Sequence, residues 1–309
     1  MTADVSSYLT GSTMPKLTQG ILNRIPILAP DLQEQCVIAS ILGSLDDKID
    51  LNRRMNETLE AIARAIFKDW FVDFGPTRAK MEGRSPYLAP EIWSLFPDRL
   101  DNEGKPEGWE QAAAHDMIQF NPAERLPRGQ PVPYLDMAAL PTAGSWADMP
   151  VMREFASGSK FRNGDALLAR ITPCLENGKA AFVQNLDDNA VGWGSTEFIV
   201  MRARPPMPRA YSYILARDSA FRERAIQSMT GTSGRQRVQV DSLAEFELVR
   251  PSERVARAFD ELISPSFEKI AANATETQTL AASRDLLLPK LMSGEIRLRD
   301  AEKMIEAES

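Results

Sequence analysis

A long stretch near the start of the chain has the hydrophobic period of a coiled coil. Between residues 38 and 70, apolar side chains and two asparagines recur at alternating steps of four and three. This is the period of a helix that packs along one face against a partner helix. Because an asparagine inside the seam needs a polar partner, the pattern predicts one specific partner helix. The seam positions are Ile38, Leu42, Leu45, Ile49, Asn52, Asn56, Leu59, Ala63, Ile66 and Trp70.

The seam pattern recurs near the end of the chain, where Ile270 and Asn273 repeat the spacing of Ile49 and Asn52. We therefore predict two long helices, about residues 31–72 and 251–292, that pair with each other. They should be antiparallel, because the domain between them begins and ends near the same end of the pair. Two unrelated helices that share a heptad pattern remain an alternative. The second seam comprises Phe259, Ile263, Ile270, Asn273, Leu280, Leu287 and Leu291, with Thr277 at the position equivalent to Asn56.

The residues between the two helices have a different pattern. After a Pro-rich, Gly-rich and charged linker, short apolar groups separated by Gly, Asn and Asp indicate several short strands, and residues 212–229 indicate a helix. The predicted fold class is α+β, with one globular domain of short strands plus helices flanked by two long helices in an antiparallel coiled coil. Residues 31–75 are the first helix, residues 76–250 the domain, and residues 251–309 the second helix and tail.

Residues 1–30 repeat the design of residues 230–251, which close the domain. Both segments combine turn residues with a short apolar run that ends at a proline, and Ile21–Leu28 is the strand-like run of the first. The first segment is therefore interpreted as the remnant end of an upstream domain of the same kind.

Composition excludes several classes of protein. The 309 residues are 43% hydrophobic and 26% charged, as in an ordinary globular protein, and no apolar run or basic leader predicts a membrane span or a signal peptide. The expected compartment is the cytoplasm. Two cysteines, Cys36 and Cys174, with the single His115, provide neither a disulfide framework nor a four-ligand zinc site. We expect both cysteines to be buried and inert.

Motifs for catalysis are missing. No nucleotide-binding glycine loop, zinc-protease motif or nucleophile elbow occurs. Asn121–Glu124 lacks the second proline and the aromatic residue of the loop found in amino-methyltransferases. No catalytic or metal-binding residue is therefore predicted.

The formal net charge of −7 disfavours a simple nucleic-acid binder, but the charge is not uniform. Residues 152–239 contain 13 Lys and Arg residues against 8 Asp and Glu residues. Gly-bounded clusters in this region carry side chains that bind phosphates and base edges, although solvated turns would have a similar composition. The candidate DNA-binding residues are Lys160, Arg162, Arg170, Thr172, Asn177, Lys179, Ser195, Thr196, Ser233, Arg235, Gln236 and Arg237.

Three segments of the chain resemble a known family. Residues 30–71, with Pro30, Gln35 and the run from Leu45 to Asn52, are similar to the central helical region of type I restriction-modification specificity subunits. Residues 286–297 resemble the distal helical region of that family, and residues 164–179 resemble a segment of its target-recognition domains. The resemblance covers nearly the whole chain.

The resemblance implies a non-catalytic subunit that reads double-stranded DNA through a target-recognition domain. It also implies that the seam helices dock methyltransferase subunits and that a restriction subunit joins them for cleavage. S-adenosylmethionine, ATP and Mg²⁺ would be bound by these partner subunits and not by this chain. A coiled-coil scaffold and an inactive recombination cassette are the alternatives.

The family usually carries two recognition domains, whereas this sequence has one. A homodimer related by a two-fold axis would restore the full arrangement and read an inverted repeat with half-sites separated by unread bases.

Overall fold

The computed structural model describes residues 16–25, 30–232 and 234–296. The chain divides into two compact units. The paired-helix unit comprises Met1–Arg54 and Asn273–Ser309, and the α+β unit comprises Met55–Ala272. The predicted domain boundaries stay predictions.

The helices are α1 (Gln19–Leu22), α2 (Leu32–Phe67), α3 (Gly75–Met81), α4 (Pro90–Trp93), α5 (Ala114–Met117), α6 (Arg209–Arg217), α7 (Ser219–Gln227), α8 (Val240–Ala244) and α9 (Glu253–Met292), and a π-helical turn (Lys68–Val72) follows α2. The strands are β1 (Glu110–Ala113), β2 (Ile118–Phe120), β3 (Pro131–Leu135), β4 (Val151–Glu154), β5 (Ser159–Phe161), β6 (Asp165–Ala169), β7 (Ala180–Phe182), β8 (Gly192–Gly194), β9 (Phe198–Ala203) and β10 (Glu247–Arg250).

Capping residues start both long helices, which are 36 and 40 residues long. Asp31 Oδ1 accepts the amide of Glu34 at 2.8 Å ahead of α2. Ser252 Oγ accepts the amide of Val255 at 3.4 Å ahead of α9. Such side chains satisfy amide groups that have no partner within the helix. The predicted fold class, α+β with two long helices, is confirmed.

The paired-helix unit is held by the predicted seam. Ile38, Leu42, Leu45 and Ile49 of α2 are buried with Leu280, Leu287 and Leu291 of α9. Across the pair, Asp46 meets Arg284 at 2.6 Å and Lys48 meets Glu276 at 3.4 Å. Asn52 Nδ2 donates to Glu276 Oε2 at 2.8 Å and to the carbonyl of Asn273 at 3.5 Å. The residue numbers of the partners on α9 decrease as the residue numbers on α2 increase. The two helices are therefore antiparallel, as predicted.

Three sheets form the framework of the described α+β unit. β1 pairs with β10, and β2-β9-β6-β7 form an antiparallel sheet. β4-β3-β8-β5 form a mixed sheet, in which β3 and β8 are parallel. Strand β6 is buried at all five positions, because Ala166 and Leu168 face one core while Leu167 faces the other. A strand buried on both faces reads as a continuous apolar run, which explains why its sequence does not alternate.

An aromatic cluster lies at the end of α2 within the α+β unit. Trp70, on the π-helical turn, is 1% exposed and packs against Phe96 and Phe259, with ring centroids 4.9 and 5.8 Å apart. Phe71 packs edge to face on Phe259 at 4.8 Å. This cluster joins the π-helical turn to the first turns of α9.

Two predicted elements were wrong. Residues 212–229 were expected to form one helix, but α6 and α7 are separate, because Asp218 has extended dihedral angles (φ −65°, ψ 139°). Its side chain accepts the amide of Phe221 at 3.0 Å, so Asp218 caps α7 instead of continuing α6. Residues 21–22, in the predicted strand-like run Ile21–Leu28, lie in the short helix α1, and residues 26–29 lie outside the described residues.

The expectation for the cysteines was also wrong. Cys36 is exposed and Cys174 is half-buried. Cys36 lies two residues before the seam position Ile38, which places it on a different face of α2. In the part of the chain that the structure describes, no helix is long and apolar enough to cross a membrane.

Candidate nucleic-acid interface

Three loops that are far apart in sequence meet at one side of the α+β unit. They are residues 170–179, residues 195–197, which follow β8, and the described part of residues 230–237, and we call them the three-loop surface. The first and third are joined by two hydrogen bonds: Thr172 donates its amide to the carbonyl of Gln236 at 3.1 Å, and the Gln236 amide donates to Thr172 Oγ1 at 3.2 Å. Thr172 therefore fastens one loop to the other.

The second loop is tied to the same place through Arg170. The Arg170 amide donates to the carbonyl of Glu197 at 2.9 Å, and the Val238 amide donates to the carbonyl of Arg170 at 2.8 Å. Arg170 Nη2 donates to the carbonyl of Val238 at 3.3 Å. Arg170 Nε is buried and has no hydrogen-bond partner among the residues that the structure describes. Through the backbone hydrogen bonds, Arg170 ties the second loop to the first loop and to Val238, which follows the third.

Arg237 and Glu197 form an ion pair on the three-loop surface. Arg237 Nε lies 2.9 Å from each carboxylate oxygen of Glu197, and Nη2 lies 2.6 Å from Oε1. The hydrogen bonds from Arg237, together with the positive charge of Arg170, hold the pKa of Glu197 below its usual value. Glu197 was not among the predicted site residues, since the sequence does not indicate which basic residue it meets.

Other predicted residues of this surface differ in exposure. Arg235 is exposed and makes no side-chain hydrogen bond or ion pair to the described residues. Thr196 and Asn177 are exposed, Gln236 is half-buried, and Ser195 Oγ accepts the amide of Glu197 at 3.1 Å. Ser233 lies outside the described residues. Arg235 is thus an exposed cation without an ion pair among the described residues.

Lys179 has an anchoring contact. Its Nζ donates to the carbonyls of Met137 and Ala138 at 2.7 and 3.3 Å, and the residue is half-buried. An ammonium group that donates to backbone carbonyls has fewer donors left for phosphate. Its predicted contact with DNA stays a prediction.

A residue that was not predicted from the sequence donates hydrogen bonds to the backbone of the first loop and of neighbouring segments. Arg217, at the end of α6, donates Nη1 to the carbonyls of Thr142 and Gly178 at 3.0 and 2.5 Å, and Nη2 to those of Gly144 and Ala180 at 2.6 and 3.0 Å. A guanidinium has five N–H groups. Four of them bind these carbonyls, and the fifth, on Nε, binds Tyr213.

A buried relay connects Arg217 to α2. Arg217 Nε donates to the hydroxyl oxygen of Tyr213 at 2.9 Å, and the Tyr213 hydroxyl donates to Glu60 Oε1 at 2.9 Å. Glu60 is only 6% exposed. Burial, and secondarily the charge of Glu60, raise the pKa of Tyr213 well above its usual value, so this hydroxyl keeps its proton and the relay stays intact.

Lys160 and Arg162 lie around a different acidic residue, Glu124. Lys160 Nζ donates to the carbonyl of Glu124 at 2.8 Å, and Arg162 Nη2 lies 2.6 Å from Glu124 Oε2. Arg202 adds a second ion pair to Glu124 at 2.9 Å and also pairs with Asp165, which is 1% exposed. Burial alone would raise the pKa of Glu124, but hydrogen bonds from Arg162 and Arg202 outweigh it and lower the pKa. This network neutralises much of the charge that Arg162 could offer to DNA.

The seam residues predicted to dock partner subunits are mostly buried, either between α2 and α9 in the paired-helix unit or in the core of the α+β unit. Other apolar side chains of the two helices are exposed. In α2 these are Leu32, Val37, Leu51, Met55 and Ile62, and in α9 they are Leu262, Leu286 and Leu288. Exposed apolar side chains of this kind, and not the seam, are available to another protein.

The lowered pKa of Glu197 leads to a prediction about stability and pH. A depressed carboxylate pKa contributes stability above the pKa of the unfolded chain, and this contribution is lost as pH falls through the folded pKa. We expect the difference in free energy of unfolding between the wild type and Glu197→Gln to be constant above about pH 5 and to shrink towards about pH 3. Urea unfolding across this range measures it, and a difference that does not change with pH would contradict the ion pair.

The comparisons with known proteins agree with one another. A family model described as the type I restriction modification DNA specificity domain matches residues 1–61. The HindI type I restriction enzyme specificity subunit of Haemophilus influenzae is 24% identical over an alignment that covers 92% of this chain and 72% of the relative. The MjaIX specificity subunit of Methanocaldococcus jannaschii is 26% identical, with 97% and 68% covered.

A solved structure supports the fold. The crystal structure of a type I restriction-modification S subunit from M. genitalium aligns with a TM-score of 0.50 at 14% identity, covering 93% of this chain and 68% of the other. The similarity of fold agrees with the sequence relatives, which align over nearly the whole chain. The chain is thus similar to type I restriction enzyme specificity subunits over nearly its whole length, and to the family model over residues 1–61.

Proposed function

We propose that this chain is the DNA-recognition subunit of a type I restriction-modification complex and has no catalytic activity of its own. In this proposal the α+β unit reads part of a bipartite double-stranded target. The observation that carries it is the convergence of three separate loops, with Arg170, Arg235, Gln236 and Arg237, on one surface. Arginine and glutamine are the side chains that pair bidentately with guanine and adenine.

The two long helices would serve the assembly. Their exposed apolar side chains fit the docking of methyltransferase subunits, and a restriction subunit would join that complex. S-adenosylmethionine, ATP and Mg²⁺ would be bound by these partners. The acidic net charge of −7 is compatible with this role, since the partner subunits would also bind the DNA.

Arg235→Ala provides the first test of the DNA-binding proposal. Because Arg235 is exposed and has no partner among the described residues, we expect it to contact a phosphate. Its loss should weaken binding to all sequences alike and reduce the slope of log affinity against log salt by about 1. The measurement is a titration of the complex of this chain with its methyltransferase between about 50 and 200 mM salt.

A matched control separates this effect from a general change of charge. Glu154→Gln alters one exposed residue of β4 that has no side-chain partner among the described residues, and it should leave the salt slope unchanged. If Arg235→Ala and Arg170→Ala both keep the wild-type affinity and slope, the assigned surface is wrong. A scaffold without DNA selectivity would show no preference of the wild-type complex for any sequence.

A further inference from the structure

We propose that Glu197 is a positioning residue that holds the guanidinium of Arg237 ready to read a guanine. This inference rests on the proposed function and adds to it the base that one position of the surface would select. It also assigns a role to an acidic residue on a surface that otherwise offers cations to DNA.

The geometry of the pair leaves one edge of the guanidinium unused. The Glu197 carboxylate accepts hydrogen bonds from Nε and from one N–H of Nη2 of Arg237, at donor–acceptor distances of 2.6 to 2.9 Å. Nη1 of Arg237 makes no hydrogen bond to the described residues, and Nη2 keeps a second N–H. These two nitrogens present parallel donors, which is the arrangement that matches O6 and N7 on the major-groove edge of guanine.

Both partners are fixed by their own backbones. Arg237 exchanges amide-to-carbonyl hydrogen bonds with Thr230 at 2.9 and 3.0 Å. The next residue, Val238, is fully buried. On the other side, Ser195 Oγ accepts the amide of Glu197, and Phe198 is 2% exposed. The carboxylate is therefore held at the base of the pair while the guanidinium faces outward, with side-chain exposures of 20% and 46%.

The pair is expected to stabilise the fold only modestly, because ion pairs near solvent contribute little to folding. Two properties suit recognition instead. A guanidinium already fixed in plane loses less side-chain entropy when it binds. In addition, the Glu197 carboxylate offsets the charge of Arg237, which weakens its attraction for phosphates at every position and favours a polar base edge.

Arg235, two residues earlier, provides the contrast. It is exposed, and no carboxylate among the described residues holds it. The two arginines thus have the same side chain on the same loop but different surroundings. Loss of Arg235 should affect all sequences, whereas loss of Arg237 should affect one base.

The test is the methylated motif of the whole complex. The chain is co-expressed with its methyltransferase as wild type, Arg237→Ala, Glu197→Gln, the double variant, Arg235→Ala and the control Glu154→Gln, and modified sites are sequenced. Arg237→Ala should relax discrimination at one G·C pair by roughly 5- to 150-fold, the factor for one bidentate contact. Glu197→Gln should relax the same pair, and the double variant should match Arg237→Ala, because Glu197 acts through Arg237.

Purely structural damage is distinguished in two ways. Circular dichroism establishes that each variant is folded, and a structural role would weaken methylation of all sites without relaxing one base. An unchanged motif in Arg237→Ala, relaxation at an A·T pair, or relaxation in Arg237→Ala but not in Glu197→Gln would overturn the inference and leave the proposed function standing. A wild-type complex that methylates without any motif would overturn both.

Discussion

Arg217→Ala is expected to lower the free energy of unfolding of the α+β unit by about 3 to 5 kcal/mol. The substitution removes five donors and leaves four backbone carbonyls and the Tyr213 hydroxyl without a donor that they have in the wild type. It also removes a positive charge from the surroundings of Glu60, which is 6% exposed. Urea unfolding followed by circular dichroism measures the loss.

Two further variants show whether the planar arrangement of the five Arg217 donors is responsible for this stability. Arg217→Lys keeps the charge but places three donors on one atom, which cannot span four carbonyls, so it should recover only part of the stability. Arg254→Ala, on the exposed side of α9, should stay within about 0.5 kcal/mol of the wild type. If Arg217→Lys were as stable as the wild type, the stability would depend on the positive charge alone and not on the arrangement of the guanidinium donors.

Trp70→Ala is expected to lower the free energy of unfolding by about 3 to 5 kcal/mol, as is usual when a large buried aromatic side chain is removed. Trp70 is 1% exposed, and its ring contacts Phe71, Phe96 and Phe259. The cavity would open where the π-helical turn meets the start of α9. The same urea titration measures this loss.

The matched control lies two residues away on the same π-helical turn. Val72 is 46% exposed, so Val72→Ala should change the free energy of unfolding by about 0.5 kcal/mol or less. Equal losses for Trp70→Ala and Val72→Ala would mean that the turn itself, and not the aromatic contact, determines stability.

The long helices could be predicted because their signal is periodic. Steps of four and three mark one face of a helix whatever surrounds it, and Ile38, Leu42, Leu45 and Ile49 are buried in the expected antiparallel pair. Asn52 inside the seam also indicated a polar partner, which is the carbonyl of Asn273 and the carboxylate of Glu276.

The α+β unit was less predictable because its contacts are not local. The break at Asp218 depends on a cap that a helical pattern hides, since Asp218 directly follows Arg217, the last residue of α6, with no glycine or proline between the two helices. Arg217 appears in the sequence as one more basic residue near the end of a helix. Its four carbonyl partners lie at residues 142–144 and 178–180, and no spacing rule connects these segments.

The candidate site was predicted as separate Gly-bounded clusters, and its chemistry depends on how they combine. Composition identified Arg170 and Arg237, but it could not show that Glu197 would meet Arg237. Likewise, Lys179 has the residue type of a phosphate ligand, and only the fold reveals the carbonyls of Met137 and Ala138 beside it. Pairing across loops is set by tertiary structure, which a single sequence does not encode in its spacing.

The most direct test of the central claim is an exchange of the predicted recognition domain. Residues 76–250 are replaced by the equivalent region of the Haemophilus influenzae relative, and the methylated sites of the assembled complex are sequenced. We predict that the motif changes with the exchanged domain while the methyltransferase still assembles, and that an exchange of residues 251–292 leaves the motif as it was. A motif that stays the same after the domain exchange would contradict the claim that this domain reads the DNA.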